Sequence, residues 1–265
     1  MKPAICTGFD YNIPFALQVP MIRDAGFEVV SIGARPEHSG YPTAQGRGRI
    51  KELTLDKGLE IDSVHAPFPE GDRLCSLDEK QRVESVRQCQ IGIDAAQDLD
   101  AGTIVIHLNA GPDSTIEGQM MGQGIKSVRA LSEHALEKGI RIAVENSWGQ
   151  PYANMLDGIL TQFSDEPIGF CYDSGHGNVD QAGFRDLIKY GHRLMCLHLH
   201  DNLGEDTHML PWEGNIDWPG FMSTLRGLEY SGSLLLEVGM ENSQFGAPAV
   251  FLSEAMKRAA RLLRL

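Results

Sequence analysis

The chain lacks several features that would assign it to a simple structural class. Its 265 residues include five cysteines, an odd number without a CxxC pair, which argues against zinc fingers and disulfide scaffolds. Cys6, Cys171 and Cys196 lie in strand-like runs, so buried free thiols are expected. The apolar runs are too short to span a bilayer, and residues 1–7 do not resemble a signal peptide. We therefore expect a cytoplasmic protein without a membrane partner.

Basic side chains are also scarce. The 23 lysines and arginines face 36 aspartates and glutamates, which gives a formal net charge of −13. The resulting electrostatic field opposes nonspecific attraction to nucleic acid or to anionic membranes. We accordingly expect no nucleic-acid partner.

Three common catalytic signatures are missing. No GxGxxG follows the first strand-like run, no P-loop occurs, and no serine has a GxSxG context. These absences argue against a dinucleotide-binding fold, a P-loop nucleotidase and a serine hydrolase of the α/β type.

Eight apolar, strand-like runs alternate with helix-length segments along the whole chain. The predicted strands are 3–8, 28–33, 61–65, 103–108, 140–145, 168–173, 194–199 and 233–238. Helical periodicity marks 79–98, 117–138 and about 249–264, and Pro20 is expected to break or kink the first helix. This order predicts the α/β class and a single (β/α)8 TIM barrel, with one domain over residues 1–265.

Polar side chains interrupt the apolar pattern where six consecutive predicted strands end. They are His65, His107, Glu145, Asp173, His198 and Glu237. The carboxyl ends of barrel strands share one rim, where active sites lie. A buried polar group is costly without a partner, so six at one rim predict a functional site.

Four of these residues suit one divalent cation. Glu145, Asp173, His198 and Glu237 offer oxygen and nitrogen ligands for Mn, Mg, Co or Zn. Such a cation could hold two neighbouring substrate oxygens and stabilise an enediolate. Glu145 and Glu237 could then remove and return a proton as catalytic residues. The structural alternative is an ion-pair network with Arg141 or Arg193.

Further residues are expected to surround this cluster. The predicted substrate-binding residues are His65, His107, His176, His208, Trp148 and Asn146. His176 has two alternatives, a second metal or a helix cap, and Trp148 could simply cover the barrel. His200 is expected on the opposite face from His198, where it would either support a ligand residue or pack on the outside. Asp201 is expected to support a ligand or a loop turn.

As a set, the motifs resemble the xylose isomerase-like TIM-barrel superfamily. They are SVHAPF (63–68), VIHLN (105–109), VEN (144–146), YDSGH (172–176), HLHD (198–201), DTH (206–208) and LLLEV (234–238). The resemblance implies an isomerase or epimerase of a small sugar, sugar phosphate or polyol-derived ketone, with the metal on the four ligands above. In the ketose 3-epimerases an arginine follows the ligand histidine by six residues. Gly204 stands there in this chain, which departs from that subgroup.

The endonuclease IV branch of the superfamily supplies the alternative function, a zinc-dependent phosphodiesterase or abasic-site endonuclease. Its trinuclear zinc site has nine ligands. Suitable residues are His65, His107, Glu145, Asp173, His176, His198, Asp206, His208 and Glu237. The negative charge argues against a DNA substrate, so a small carbohydrate is the expected partner. The oligomeric state stays open, with a homodimer among the alternatives.

Overall fold

Eight parallel strands form the barrel that the sequence predicts. The computed structural model describes residues 1–108, 115–164 and 167–265. The strands are β1 (Pro3–Cys6), β2 (Val29–Ile32), β3 (Glu60–His65), β4 (Thr103–Ile106), β5 (Arg141–Glu145), β6 (Ile168–Asp173), β7 (Leu194–His198) and β8 (Leu234–Leu236). All eight predicted strands are confirmed. Five of them end one or two residues earlier than predicted, just before or within the polar rim.

The barrel closes between its last two strands. The order of hydrogen-bonded neighbours is β7-β6-β5-β4-β3-β2-β1-β8, with every pair parallel. β7 and β8 meet through one bridge between Leu199 and Leu236. The amide of Leu199 donates to the carbonyl of Leu235 at 2.9 Å, and the amide of Glu237 donates to the carbonyl of Leu199 at 3.1 Å. The closure therefore lies directly beside His198 and Glu237.

Helices cover the outside of the barrel. They are α1 (Phe15–Asp24), α2 (Pro36–Ser39), α3 (Ala44–Asp56), α4 (Glu79–Asp98), α5 (Glu117–Lys138), α6 (Gln150–Gln162), α7 (Ser174–Val179), α8 (Arg185–Tyr190), α9 (Trp218–Gly227) and α10 (Pro248–Arg264). The bounds of α4 and α5 agree with the prediction. The Asp78 carboxylate caps α4 by accepting from the amides of Lys80 and Gln81. Within the described residues no helix has the length and apolarity needed to cross a membrane.

Pro20 does not break the first helix, so the predicted break is wrong. Helix α1 runs through Pro20 to Asp24. The proline removes the hydrogen bond to the carbonyl of Ala16, and Ala16 is exposed, so water can satisfy that carbonyl. Val19 and Ile22, on either side of the proline, are fully buried and hold the helix against the core. Tertiary packing offsets the cost of the proline here.

Strand residues alternate between two cores. Bulky side chains such as Ile104, Ile142 and Leu197 join the large apolar layer beneath the helices. The barrel interior holds a separate cluster of smaller residues, namely Val105, Ala143, Cys171 and Cys196. Two positions further along each strand come His107, Glu145, Asp173 and His198. Because side chains repeat every second residue, these four continue the inward face.

The cysteines have no structural cross-links. All five are buried and free, which confirms the expectation for Cys6, Cys171 and Cys196. Burial raises the pKa of the Cys6 thiol to about 11 and that of the Cys89 thiol to about 12. These two are therefore neutral packing residues at physiological pH.

Ile142→Ala tests the layer between β5 and its helices. Ile142 is fully buried, so the truncation should lower the free energy of unfolding by about 2–5 kcal/mol. Ile188→Ala is the matched control, because Ile188 is 65% exposed and should change stability by less than about 0.5 kcal/mol. Denaturant titration measures both. Equal effects would contradict the assignment of Ile142 to the core.

Candidate metal and active site

A cavity of about 770 Å³ opens at the carboxyl ends of the strands. Seven predicted site residues line it: His65, His107, Glu145, Trp148, His176, His208 and Glu237. Asp173 and His198 are almost fully buried and contact this group from the barrel side. The structure thus gathers the predicted catalytic and metal-ligating residues at one rim. Asn109, at the end of the VIHLN motif, lies outside the described residues.

Glu145 is the centre of the cluster. Its carboxylate lies 2.8 Å from Nδ1 of His198, 3.1 Å from Nε2 of His107 and 3.3 Å from Nδ1 of His176. Complete burial raises the pKa of the Glu145 carboxyl. The neighbouring His198 and His107 outweigh burial and hold its pKa well below the usual range. Glu145 is therefore an anion surrounded by imidazoles.

Glu237 joins the same group from the opposite side of the barrel closure. One of its carboxylate oxygens lies 3.0 Å from Nδ1 of His198, the atom that also contacts Glu145. Burial raises the pKa of Glu237, and the charge of His198 more than reverses that effect, so the carboxylate stays ionised. Three of the four predicted ligands therefore converge on one point.

Asp173, the fourth predicted ligand, has partly different neighbours. Its Oδ1 accepts from the amide of His176 as the N-cap of α7 and lies 3.1 Å from Nε2 of His200. Nδ1 of His176 links the two halves of the site, at 3.7 Å from Asp173 and 3.3 Å from Glu145. Oδ2 of Asp173 is buried without a hydrogen-bond partner. One oxygen is therefore committed to the helix cap, and the other is available to a cation.

Unsatisfied polar atoms concentrate in this cluster. Within the described residues, the buried atoms without a hydrogen bond include Nε2 of His107, both carboxylate oxygens of Glu145, Oδ2 of Asp173, Nδ1 of His198 and both ring nitrogens of His200. Buried polar groups normally have partners, because an unsatisfied one is costly. Oxygen and imidazole donors in this arrangement fit a divalent cation such as Mn, Mg, Co or Zn.

The proposed arginine network does not explain the carboxylates. Arg141 is the first residue of β5, at the opposite end of the strand from Glu145, and it donates to Thr103. Arg193 precedes β7 and donates to the carbonyl of Phe163 at 2.8 Å. Both arginines lie at the amino ends of their strands, whereas the site lies at the carboxyl ends.

Three histidines are oriented by backbone carbonyls. Nδ1 of His65 contacts the carbonyl of Ala66 at 2.7 Å, that of His176 contacts Asn146 at 2.7 Å, and that of His208 contacts Glu237 at 2.8 Å. A carbonyl can only accept, so each Nδ1 carries a hydrogen and each Nε2 is left for the site.

The protonation of these histidines differs. Burial lowers the pKa of His65 to about 4, so its ring is neutral at pH 7. Burial also opposes charge on His176 and His208, but nearby carboxylates outweigh it. Asp173 raises the pKa of His176 to about 10, and Asp206 raises that of His208 to about 9. Their Nε2 atoms lie 3.7 Å and 3.3 Å from Asp206. A cation bound between Asp206 and these two Nε2 atoms would take the place of the protons on His176 and His208.

His200 points into the site, so its predicted position on the opposite face from His198 is wrong. It is fully buried, its Nε2 lies 3.1 Å from Asp173 and 3.7 Å from Asp206, and its ring stacks on His208 with 4.0 Å between centroids. Residues two apart share a face of an extended chain, so His200 follows His198 inward. The HxH spacing in HLHD is the signal that should have placed it correctly.

Asn146 holds the backbone of the predicted ligand Asp173 in place. Its amide donates to the carbonyl of Asp173 at 2.9 Å and accepts from the amide of Asp173 at 2.7 Å. Both ends of this buried side chain thus bind the backbone of β6, and its predicted contact with substrate stays a prediction. Tyr152, which the sequence analysis missed, similarly accepts from the amide of Leu108 and donates to the carbonyl of Glu145. These contacts fix the ends of β4, β5 and β6 relative to one another.

The two tryptophans near the rim have different places. Trp148 lines the cavity and lies with its ring 5.2 Å from that of His176. Trp212 instead packs against Arg261, whose guanidinium carbon lies 4.0 Å from the centroid of the indole ring. Asp201 organises the loop after β7 by accepting from the amides of Trp212 and Ile216 and from the indole of Trp218. Its predicted support of a loop turn is confirmed.

Comparison with known proteins gives a consistent result. Residues 19–264 match the profile of the xylose isomerase-like TIM barrel family. The D-psicose 3-epimerase of Enterocloster bolteae is 24% identical over 234 residues, which are 80% of this chain and 72% of that protein. A probable endonuclease 4 of Haloarcula marismortui is 23% identical over 194 residues, which are 65% of this chain and 68% of that protein.

A solved structure supports the same fold. The crystal structure of a D-tagatose 3-epimerase-like protein superposes with a TM-score of 0.82. It is 23% identical, and the match covers 100% of this chain and 98% of that one. At this identity the likeness establishes the barrel architecture.

Gly175→Ala tests the placement of His200. A Cβ at Gly175 would overlap the imidazole of His200. We expect the free energy of unfolding to fall by about 1–3 kcal/mol, since the buried ring has to move. Gly122→Ala is the control, because Gly122 lies in α5 with nothing within 4 Å of the added carbon. That variant should be neutral or more stable by up to about 1 kcal/mol in the same denaturant titration. A neutral Gly175→Ala would show that His200 does not pack against this glycine.

Proposed function

Because the chain belongs to the xylose isomerase-like TIM barrel family, we propose that it is a divalent-metal-dependent sugar isomerase or epimerase. Its substrate is a small sugar, a sugar phosphate or a polyol-derived ketone. The observation that carries the proposal is the convergence of Glu145 and Glu237 on Nδ1 of His198, at 2.8 and 3.0 Å. Names of relatives, among them a D-psicose 3-epimerase, support the same class.

The four ligands in this proposal are Glu145, Asp173, His198 and Glu237. A divalent cation on them would polarise a carbonyl and a neighbouring hydroxyl, which acidifies the C–H bond between these groups. Mn, Mg, Co and Zn all suit the donor set, and the proposal requires one ion per chain.

The two glutamates have the additional role of moving the proton. They come from β5 and from the residue after β8, and they approach His198 from both sides of the barrel closure. One accepts the proton from the reacting carbon as a carboxylate, a role that a low pKa permits. The other first takes up a proton from solvent or from a substrate hydroxyl, and then donates it to the opposite face or to the neighbouring carbon.

The surrounding histidines orient the substrate. His65 presents a neutral Nε2 to the cavity and accepts a hydrogen bond from a substrate hydroxyl. His107, His176 and His208 line the same cavity and contact further hydroxyl groups, while Trp148 covers one side of the bound sugar.

Hydrogen exchange in D₂O tests the proton-transfer mechanism. Metal-loaded protein should transfer solvent deuterium to the carbon beside the carbonyl of a ketose, inosose or hydroxypyruvate, as followed by NMR. Glu145→Gln and Glu237→Gln should each lower the exchange rate by about 10²–10⁴-fold, because the proton acceptor or donor is lost. Glu137→Gln, on the exposed face of α5, is the control and should exchange normally. Near-normal exchange in either active-site variant, with the metal still bound, would contradict the two-glutamate mechanism.

A zinc-dependent phosphodiesterase is the second candidate. The observation in its favour is that further sets of side chains could each hold a metal ion. One set is His65 with His107 and Glu145, and another is Asp206 with His208 and His200. All nine residues expected for a trinuclear site either line the cavity described above or contact residues that line it. The charge of −13 weighs against a DNA substrate.

Metal analysis separates the two candidates. The proposed isomerase should hold one ion per chain by elemental analysis after dialysis, and His208→Ala should not change that number. Three zinc ions per chain, reduced in the His208→Ala variant, would favour the phosphodiesterase and contradict the single-metal proposal. Trp212→Phe serves as the control variant, since Trp212 lies away from the cavity lining.

A further inference from the structure

The cavity is large for a single sugar ring. Its volume of about 770 Å³ lies in the upper part of the range for pockets that enclose drug-sized ligands. A sugar ring bound at the metal ligands would occupy only the floor, where Glu145, His198 and Glu237 converge. The remaining space reaches Asp10 and Tyr11 after β1, Arg35 after β2 and Glu241 after β8. Another part of the ligand can therefore lie above the reacting ring.

Two exposed aromatic side chains flank this upper space. Phe68 is 51% exposed and Trp148 is 45% exposed, and both line the cavity. Each ring meets a floor histidine edge-on, Phe68 at 6.0 Å from His107 and Trp148 at 5.2 Å from His176. Large aromatic surfaces left in water gain free energy when a ligand covers them. The C–H face of a second sugar ring provides such a cover.

Charges of the lining favour a neutral ligand. Apart from the ligand cluster and Asp206, the cavity lining contains the carboxylates of Asp10, Asp72 and Glu241, and none of them forms an ion pair with a described residue. In this lining Arg35 is the only described lysine or arginine, and its guanidinium lies 4.3 Å over the ring of Tyr11. Outside the metal ligands, Asp206 and the histidines, three carboxylates therefore face one guanidinium, which disfavours a phosphate or carboxylate on the part of the ligand above the reacting ring.

We infer that the substrate is a neutral, unphosphorylated sugar that carries a second ring, such as a glycoside or a disaccharide. The reacting ring lies at the metal ligands, and the second ring stacks on Phe68 and Trp148. This inference rests on the proposed function and adds the substrate class. Phe68 and Trp148 are then specificity residues that contact the part of the substrate away from the reacting carbon.

Calorimetric titration of the Mn²⁺-loaded protein tests the inference. The probes are the neutral disaccharides cellobiose, lactose and sucrose, their component monosaccharides, and glucose 6-phosphate and fructose 6-phosphate. At least one disaccharide should bind about tenfold more tightly than its component monosaccharides and than the hexose phosphates. Quenching of Trp148 fluorescence by acrylamide should fall when that disaccharide is bound, because the second ring covers the indole.

Variants separate stacking from the rest of the site. Phe68→Ala should weaken binding of the disaccharide by about tenfold and change binding of the monosaccharide by less than about twofold. Trp148→Ala should also weaken binding of the disaccharide by about tenfold, and it should weaken the monosaccharide too, because the indole covers one side of the reacting ring. Phe68→Tyr should retain the disaccharide affinity, because it keeps the ring. Leu203→Ala is the control, since Leu203 is 68% exposed and lies outside the cavity lining.

The outcomes distinguish this inference from the proposed function. Monosaccharides that bind as tightly as every disaccharide, or hexose phosphates that bind most tightly, would overturn the second-ring subsite and leave the sugar isomerase intact. Disaccharide binding that is unchanged in Phe68→Ala and Trp148→Ala would overturn the assignment of these residues. Failure of every sugar to bind the metal-loaded protein would overturn the proposed function and the inference together.

Discussion

The site depends on one constraint, the burial of the Glu145 carboxylate among imidazoles. Glu145 is fully buried at the end of β5, and such a charge persists only with compensating partners. His107, His176 and His198 supply them from the ends of three other strands. Because one carboxylate requires all these contacts, the relative positions of β4 to β7 at the rim are coupled. This coupling preorganises the site before any ligand arrives.

The rim is also where the backbone ladder is weakest. β7 and β8 share a single bridge at Leu199, and the chain leaves the ladder beside His198, His200 and Glu237. Beyond this bridge, side-chain contacts of Asp201 organise the loop after β7. Because the polar groups lie at the strand ends and in the loops that follow them, substitutions there can change the chemistry of the site without changing the barrel core.

Much of the fold was predictable because its signals are local. The 3.6-residue periodicity gave the bounds of α4 and α5, and apolar runs located all eight strands. The two failures have different causes. Pro20 stays within α1 because Val19 and Ile22 pack against the core, which is a tertiary effect. The position predicted for His200 was wrong although its signal is local, since residues two apart share one face of an extended chain.

The sequence by itself determined the barrel and the rim on which its polar residues lie, because alternation and strand order are encoded in short stretches of chain. It also supplied the donor types that suit a divalent cation. Only the tertiary structure decided which of those groups meet. Glu145 and Glu237 come together on His198 because the barrel closes between β7 and β8, and no local pattern contains that distance. The aromatic pair above the floor likewise exists only because loops distant in sequence share one cavity.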